Sequence, residues 1–113
     1  MPDNCLFCKI IRGEIPAVKL YEDNEVLAFR DIAPQAPVHF LVIPKKHLSG
    51  PDAVTADDEQ IVGKLLRIGN DIARQEGISQ YRIVFNNGPE AGQTVFHLHM
   101  HILGGRNMAW PPG

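Results

Sequence analysis

The sequence predicts an α+β domain, an antiparallel sheet of about five strands with one long and one short helix. Three observations predict it. Short β-prone runs follow one another with turn residues between them. A single long stretch, "IVGKLLRIGNDIAR", carries an apolar stripe at helical spacing. One crossover runs through that helix and the other connections are hairpin-like, which favours an antiparallel sheet with its helices on one face. At 113 residues the chain has the length of one domain, residues 1–113, with no linker or repeat dividing it.

The elements follow in order. "DNCLFCKIIRG" reads as a short helix, with Asn4 as N-cap, Leu6, Ile10 and Ile11 at helical spacing, and Gly13 as the stop. "AVKLYED" and "EVLAFRDI" are two strands joined by a turn at Asp23-Asn24. Pro37 opens and Pro44 closes a strand over Val38 to Ile43. Val38, Phe40 and Val42 face one way there, and His39, Leu41 and Ile43 the other. Thr55 with Asp58 three residues on is close to a capping box for the long helix. Ile61, Leu65, Ile68 and Ile72 form the helix's stripe, and Gly77 fits its C-cap. "YRIVFNNG" is a strand ending in a turn, "GPEAGQT" a loop, and "VFHLHMHIL" the last full strand. The tail "GGRNMAWPPG" is too rich in glycine and proline for regular structure.

That last strand carries the functional signal. On a strand His97, His99 and His101 share one face, while Leu98, Met100 and Ile102 share the other and pack on the helices. The imidazoles then form a polar ridge about 13 Å long, wrong for a core and unusual for a plain surface. Such a ridge serves either as a metal site or as a centre for nucleophilic and acid–base chemistry at phosphorus. The loop before it, "NNGPEAGQT", favours the second. Gly88 and Gly92 admit backbone N–H groups close to an anion, and Asn86, Gln93 and Thr94 add donors suited to a charged transition state.

The formal net charge of −2 offers no basic field for a nucleic-acid backbone. No apolar run is long enough to span a membrane and no signal-peptide pattern is present, so the expected location is the cytoplasm. Cys5 and Cys8, in "CLFC", fit half a zinc site, a redox pair or two small apolar residues.

"HLHMHIL", His97 to Leu103, resembles the histidine-triad (HIT) signature His-φ-His-φ-His-φ-φ, with φ apolar. "DIAPQAPVHFLVIPKKH", Asp31 to His47, is similar to the family's other hallmark segment, and "LGGRNMAWPPG" resembles the tail of its HinT branch, the purine nucleoside phosphoramidases. The resemblance implies a homodimer whose two five-stranded sheets join into one of ten strands. It implies hydrolysis of purine nucleoside 5′-phosphoramidates, and of aminoacyl-adenylates, to the nucleoside monophosphate. By position His99 is then the nucleophile forming a nucleotidyl-imidazole intermediate, flanked by His97 and His101, with His39 in the proton network. Asp31 is expected on the ribose hydroxyls. Phe7, Ile10, Phe29 and Ile32 are expected around the purine, and Asn86, Gly92 and Thr94 on the α-phosphate. Thr94 stands where the family has serine and keeps the hydroxyl. The tail, residues 104–113 with Trp110, is expected near the partner subunit's active site.

Some relatives with the same cysteine spacing bind structural zinc, and here the matching residues are Cys5, Cys8, His47 and His97. Other relatives lack the cysteines, so the chemistry requires no cofactor. Two rival functions remain: a zinc-stabilised purine-nucleotide-binding or interaction module, and a dinucleoside polyphosphate hydrolase of the same superfamily. The first leaves His99 and His101 without a role. The "WPPG" tail argues against the second, and His101, where nucleotidyl-transferring relatives have glutamine, favours hydrolysis.

Overall fold

The computed structural model describes residues 2–113. Strands β1 (Lys19–Glu22), β2 (Val26–Arg30), β3 (Val38–Pro44), β4 (Tyr81–Val84) and β5 (Met100–Gly104) form one sheet in the order β1-β2-β3-β5-β4, every neighbouring pair antiparallel. Helix α1 (Leu6–Ile11) precedes the sheet and α2 (Glu59–Gln75) forms the crossover from β3 to β4. No helix among the described residues is long and apolar enough to cross a membrane.

Local chemistry explains these elements. At the β1–β2 turn the Asp23 carboxylate accepts the N–H groups of Glu25 and Val26 at 2.7 and 2.8 Å, the Asx-type turn that aspartate favours. The Thr55–Asp58 capping box is present, on a short 3-10 turn, Ala56–Asp58, that leads into α2. Glu76 closes α2, with Gly77 next in the left-handed conformation. The N-cap of α1 is Cys5 rather than Asn4, because the Cys5 sulfur accepts the Cys8 N–H at 3.4 Å.

The two faces of the sheet are covered by different helices. Phe40, Val42, Leu98, Met100 and Ile102 pack with Leu65, Ile68 and Ile72 of α2. Leu27, Phe29, Leu41 and Ile43 pack on the opposite face with Cys5, Phe7, Cys8 and Ile10 of α1. The expectation of both helices on one face is thus corrected, since each strand's inward residues alternate and both sets are apolar. Gly69 lets α2 approach the sheet closely, for a Cβ there would stand 2.6 Å from Ile102 Cδ1 and 2.7 Å from Met100 Cε.

A second correction concerns the histidine segment. The ladder of β5 begins only at Met100, opposite Val42, so residues 95–99 are bent chain outside the strand. What holds this bend is a bond from Leu98 N–H to the Leu48 carbonyl at 2.6 Å, in place of sheet pairing. Alternation persists through it, because Leu98 still enters the α2-side core.

Candidate active site

The face of the sheet under α1 opens into a cleft of about 290 Å³, at the small end of small-molecule sites. Phe7, Ile10, Phe29 and Leu41 line it with Ile15, Pro16, Ala17 and Val95, and Asp31, Thr94, His99 and His101 bring its polar groups. Phe7 stands edge-on to Phe29 (centroids 5.3 Å apart) and to His99 (5.1 Å). Ile32 borders the cleft at 96% exposure, a large apolar side chain left open at its mouth. Arg30 is the one cationic side chain of the Lys or Arg type in the lining, and it is engaged by Glu76 at 2.6 Å.

Hydrogen bonds assign the protons of the histidines, because a carbonyl only accepts and an amide N–H only donates. His99 Nδ1 lies 2.7 Å from the His97 carbonyl, so it carries the hydrogen and leaves Nε2 with a free lone pair. His39 Nδ1 accepts the Gln35 N–H at 3.0 Å, so neutral His39 is protonated on Nε2. That N–H is donated to His101 Nδ1 at 2.9 Å, with Asp31 Oδ2 3.4 Å from the same nitrogen. His101 then carries its hydrogen on Nε2. Asp31, His39 and His101 also lie close enough to be a ligand set. With its hydrogen on Nε2, His39 links Asp31 and His101 in one hydrogen-bonded chain.

Burial lowers every one of these histidines below the usual imidazole value. For His99 burial outweighs the bond to the His97 carbonyl and the charge of Asp31. In His101 it is reinforced by His99 and His39, which brings the ring to about 4. His39 is lowered by burial against the pull of Asp31. All three rings are thus neutral near pH 7, as a nitrogen nucleophile requires.

His97 faces elsewhere. It is fully buried, and its Nε2–H is donated to the Pro44 carbonyl at 2.8 Å. Its Nδ1 lone pair points at Cys5 Sγ (3.4 Å), Cys8 Sγ (3.6 Å) and His47 Nδ1 (3.1 Å), and Cys8 Sγ is 3.4 Å from His47 Nδ1. Both cysteines are free thiols. A tetrahedral zinc ion with ordinary bond lengths sets S···N edges of about 3.5 Å and N···N edges of about 3.3 Å. The four donors fit that ion in kind and in spacing. Without a cation, burial and the neighbouring Cys5 push the Cys8 thiol up to about 11.

The phosphate-side residues are placed less uniformly. Thr94 is exposed at the cleft. Asn86 and Gly92 lie together in the preceding loop, where Gly92 is left-handed (φ +95), but neither is among the cleft's lining residues. Gln93 is buried, with Oε1 accepting the Gly88 N–H at 2.8 Å and Nε2 donating to the Ser49 and Val95 carbonyls at 2.9 and 3.1 Å. Its amide donors are spent bracing the loop. Trp110 is 83% exposed on a tail tethered by Arg82 to the Ala109 carbonyl, away from this chain's own cleft. Sequence reasoning missed Leu41, the Ile15-Pro16-Ala17 wall and the main-chain partners Gln35 and Pro44. The outward face of the His39 strand pointed to Leu41, whereas no sequence signal marks a backbone donor.

The family model of the HIT domain matches residues 12–108. The chain belongs to the HIT family. It is 55% identical to an uncharacterized HIT-like protein of Synechococcus elongatus, over the full length of both chains. Its fold matches a HIT family hydrolase from Legionella pneumophila with a TM-score of 0.95 and 53% identity, covering 97% of this chain and 100% of that one. A histidine triad protein from Clostridium difficile matches with a TM-score of 0.92 and 42% identity, covering 96% of each chain.

Proposed function

We propose that this HIT protein is a hydrolase that cleaves the P–N bond of purine nucleoside 5′-phosphoramidates, and the P–O bond to the acyl group of the related aminoacyl-adenylates, the activity of the HinT branch its tail resembles. The observation that carries the reading is His99, which is neutral, locked as the Nδ1–H tautomer by the His97 carbonyl, and on the wall of an apolar cleft. Similarity to HIT family hydrolases, such as the Legionella protein, supports the same class.

In the first step the His99 Nε2 lone pair attacks phosphorus and the P–N bond breaks. Its electron pair stays on the amine nitrogen, which takes up a proton from solvent and leaves. In the second step water attacks phosphorus, gives up a proton and returns the lone pair to His99, releasing the nucleoside monophosphate. His101 offers its Nε2–H to phosphate oxygens, where it stabilises developing charge. The His39 Nε2–H donated to His101 Nδ1, with Asp31 beside it, keeps the His101 hydrogen on Nε2, where it faces those oxygens. The purine fits between Phe7, Ile10, Phe29 and Ile32, with the ribose at Asp31 and the phosphate near Thr94.

Cys5, Cys8, His47 and His97 would hold a structural zinc ion, which supplies cross-linking and takes part in neither step. The second subunit, joining a sheet edge, would complete a homodimer and bring its Trp110 tail to this cleft. An adenosine phosphoramidate bearing a fluorescent amine tests the reading. Amine release by the wild type and its loss in His99→Ala are expected. Equal release by both proteins, or none by the wild type, overturns it.

A further inference from the structure

We propose that His97 is a positioning residue: a metal ion held by Cys5, Cys8, His47 and His97 fixes the His97 main chain, and with it the carbonyl that keeps His99 in its reactive tautomer. The inference rests on the function proposed above for His99, and on three features of the fold.

The first is that one residue serves both sites. The His97 ring is held at Nε2 by Pro44 and turns Nδ1 to the thiols and His47, while its carbonyl takes the His99 Nδ1–H at 2.7 Å. The second is that the sheet does not hold this carbonyl. The β3–β5 ladder begins at Met100, and the bond from Leu98 N–H to Leu48 is the main-chain anchor before it. The ion would supply the missing clamp, tying the bend to α1 through the cysteines and to the end of β3 through His47. The third is a parallel link through α1. Cys5 caps that helix, and Phe7 on its first turn stands edge-on to both His97 (6.0 Å) and His99 (5.1 Å).

Without the ion the donors keep only weak thiol contacts and one imidazole pair, and the bend is freer to move. A His99 ring released from the carbonyl can place its hydrogen on Nε2, the atom that must attack. Partners that orient a reactive or ligating imidazole are typically worth 10–100-fold, and the effect falls on kcat more than on KM, because the substrate contacts are not the ones removed.

The test compares zinc-loaded protein, protein depleted by a chelator, and His47→Asn, which removes a ring that meets Cys8 and His97. Nitrogen-15 NMR of the imidazoles reads the His99 tautomer at fixed pH, circular dichroism reads the fold, and amine release gives kcat and KM. Expected are a single Nδ1–H tautomer in loaded protein and a mixture in the depleted protein and the variant. Their kcat should be lower by roughly 10–100-fold with the fold retained, and zinc added back to depleted protein should restore both readouts. An unmixed tautomer after depletion, or an unchanged kcat, overturns the proposal. So does global unfolding, which would make the cluster a support of the whole fold rather than of one carbonyl. If loaded wild type releases no amine, the proposed function fails while the ring-nitrogen signature still decides the positioning role.

Discussion

Replacing Gln93 by leucine separates a loop brace from a substrate contact. The side chain is 4% exposed and joins the Gly88 N–H and Val95 carbonyl of its own loop to the distant Ser49 carbonyl. Gly50 leaves just enough room for it, since a Cβ there would stand 3.0 Å from Gln93 Nε2. Leucine has a similar volume but no polar atoms. A typical intramolecular hydrogen bond contributes about 1 kcal/mol net, so losing three gives a loss of about 3 kcal/mol. That lowers Tm by about 12 °C at about 4 °C per kcal/mol. Urea unfolding at fixed protein concentration measures it, with the midpoint falling and the slope unchanged. A loss below about 0.5 kcal/mol, the range of ordinary surface changes, combined with weaker nucleotide binding would refute the brace and return Gln93 to the substrate.

Two further outcomes follow from the same geometry. His39→Gln removes the donor that sets the His101 tautomer, so kcat should fall by roughly 10–100-fold while nucleoside monophosphate binding, by calorimetry, changes little. An unchanged kcat would mean that the His39 donor does not set the His101 tautomer that catalysis uses. The pH dependence of kcat/KM has a definite sign, because protonating His99 removes its lone pair and burial disfavours that protonation. The acid limb should therefore fall below the ordinary imidazole value of about 6.5, leaving activity flat from there through neutral pH. A limb centred at or above that value would mean that His99 is not the buried neutral base described here.

Much of this architecture is legible in the residues because it depends on local pattern. The faces of β3, the Thr55–Asp58 box and the stripe of α2 each follow from side-chain period or capping chemistry. Alternation from Leu98 to Ile102 also places the right side chains in the core. It misleads at His97 and His99, because a period of two is kept by a bent chain as well as by a strand. The chain leaves the ladder there because His97 turns inward to the thiols and Leu98 bonds to Leu48. Asn4 is the better N-cap by residue type, yet Cys5 takes the position because the cysteine cluster draws its sulfur to the helix start. The spare amide of Gln93 reads as a donor for substrate until the backbone groups it serves are seen, one of which, the Ser49 carbonyl, lies 44 residues away in sequence. The proton order among the histidines is set by the Gln35 N–H and the Pro44 and His97 carbonyls, which no side-chain pattern encodes.

The central claim is that His99 forms a covalent bond to phosphorus. Rapid acid-free quenching of wild-type protein mixed with an adenosine phosphoramidate, followed by peptide mass spectrometry, tests it most directly. The account predicts a transient nucleotidyl group on the peptide containing His99, formed with the burst of amine and absent from His99→Ala. Full turnover with no modified peptide at the earliest times, or modification at His97 or His101 instead, would contradict it.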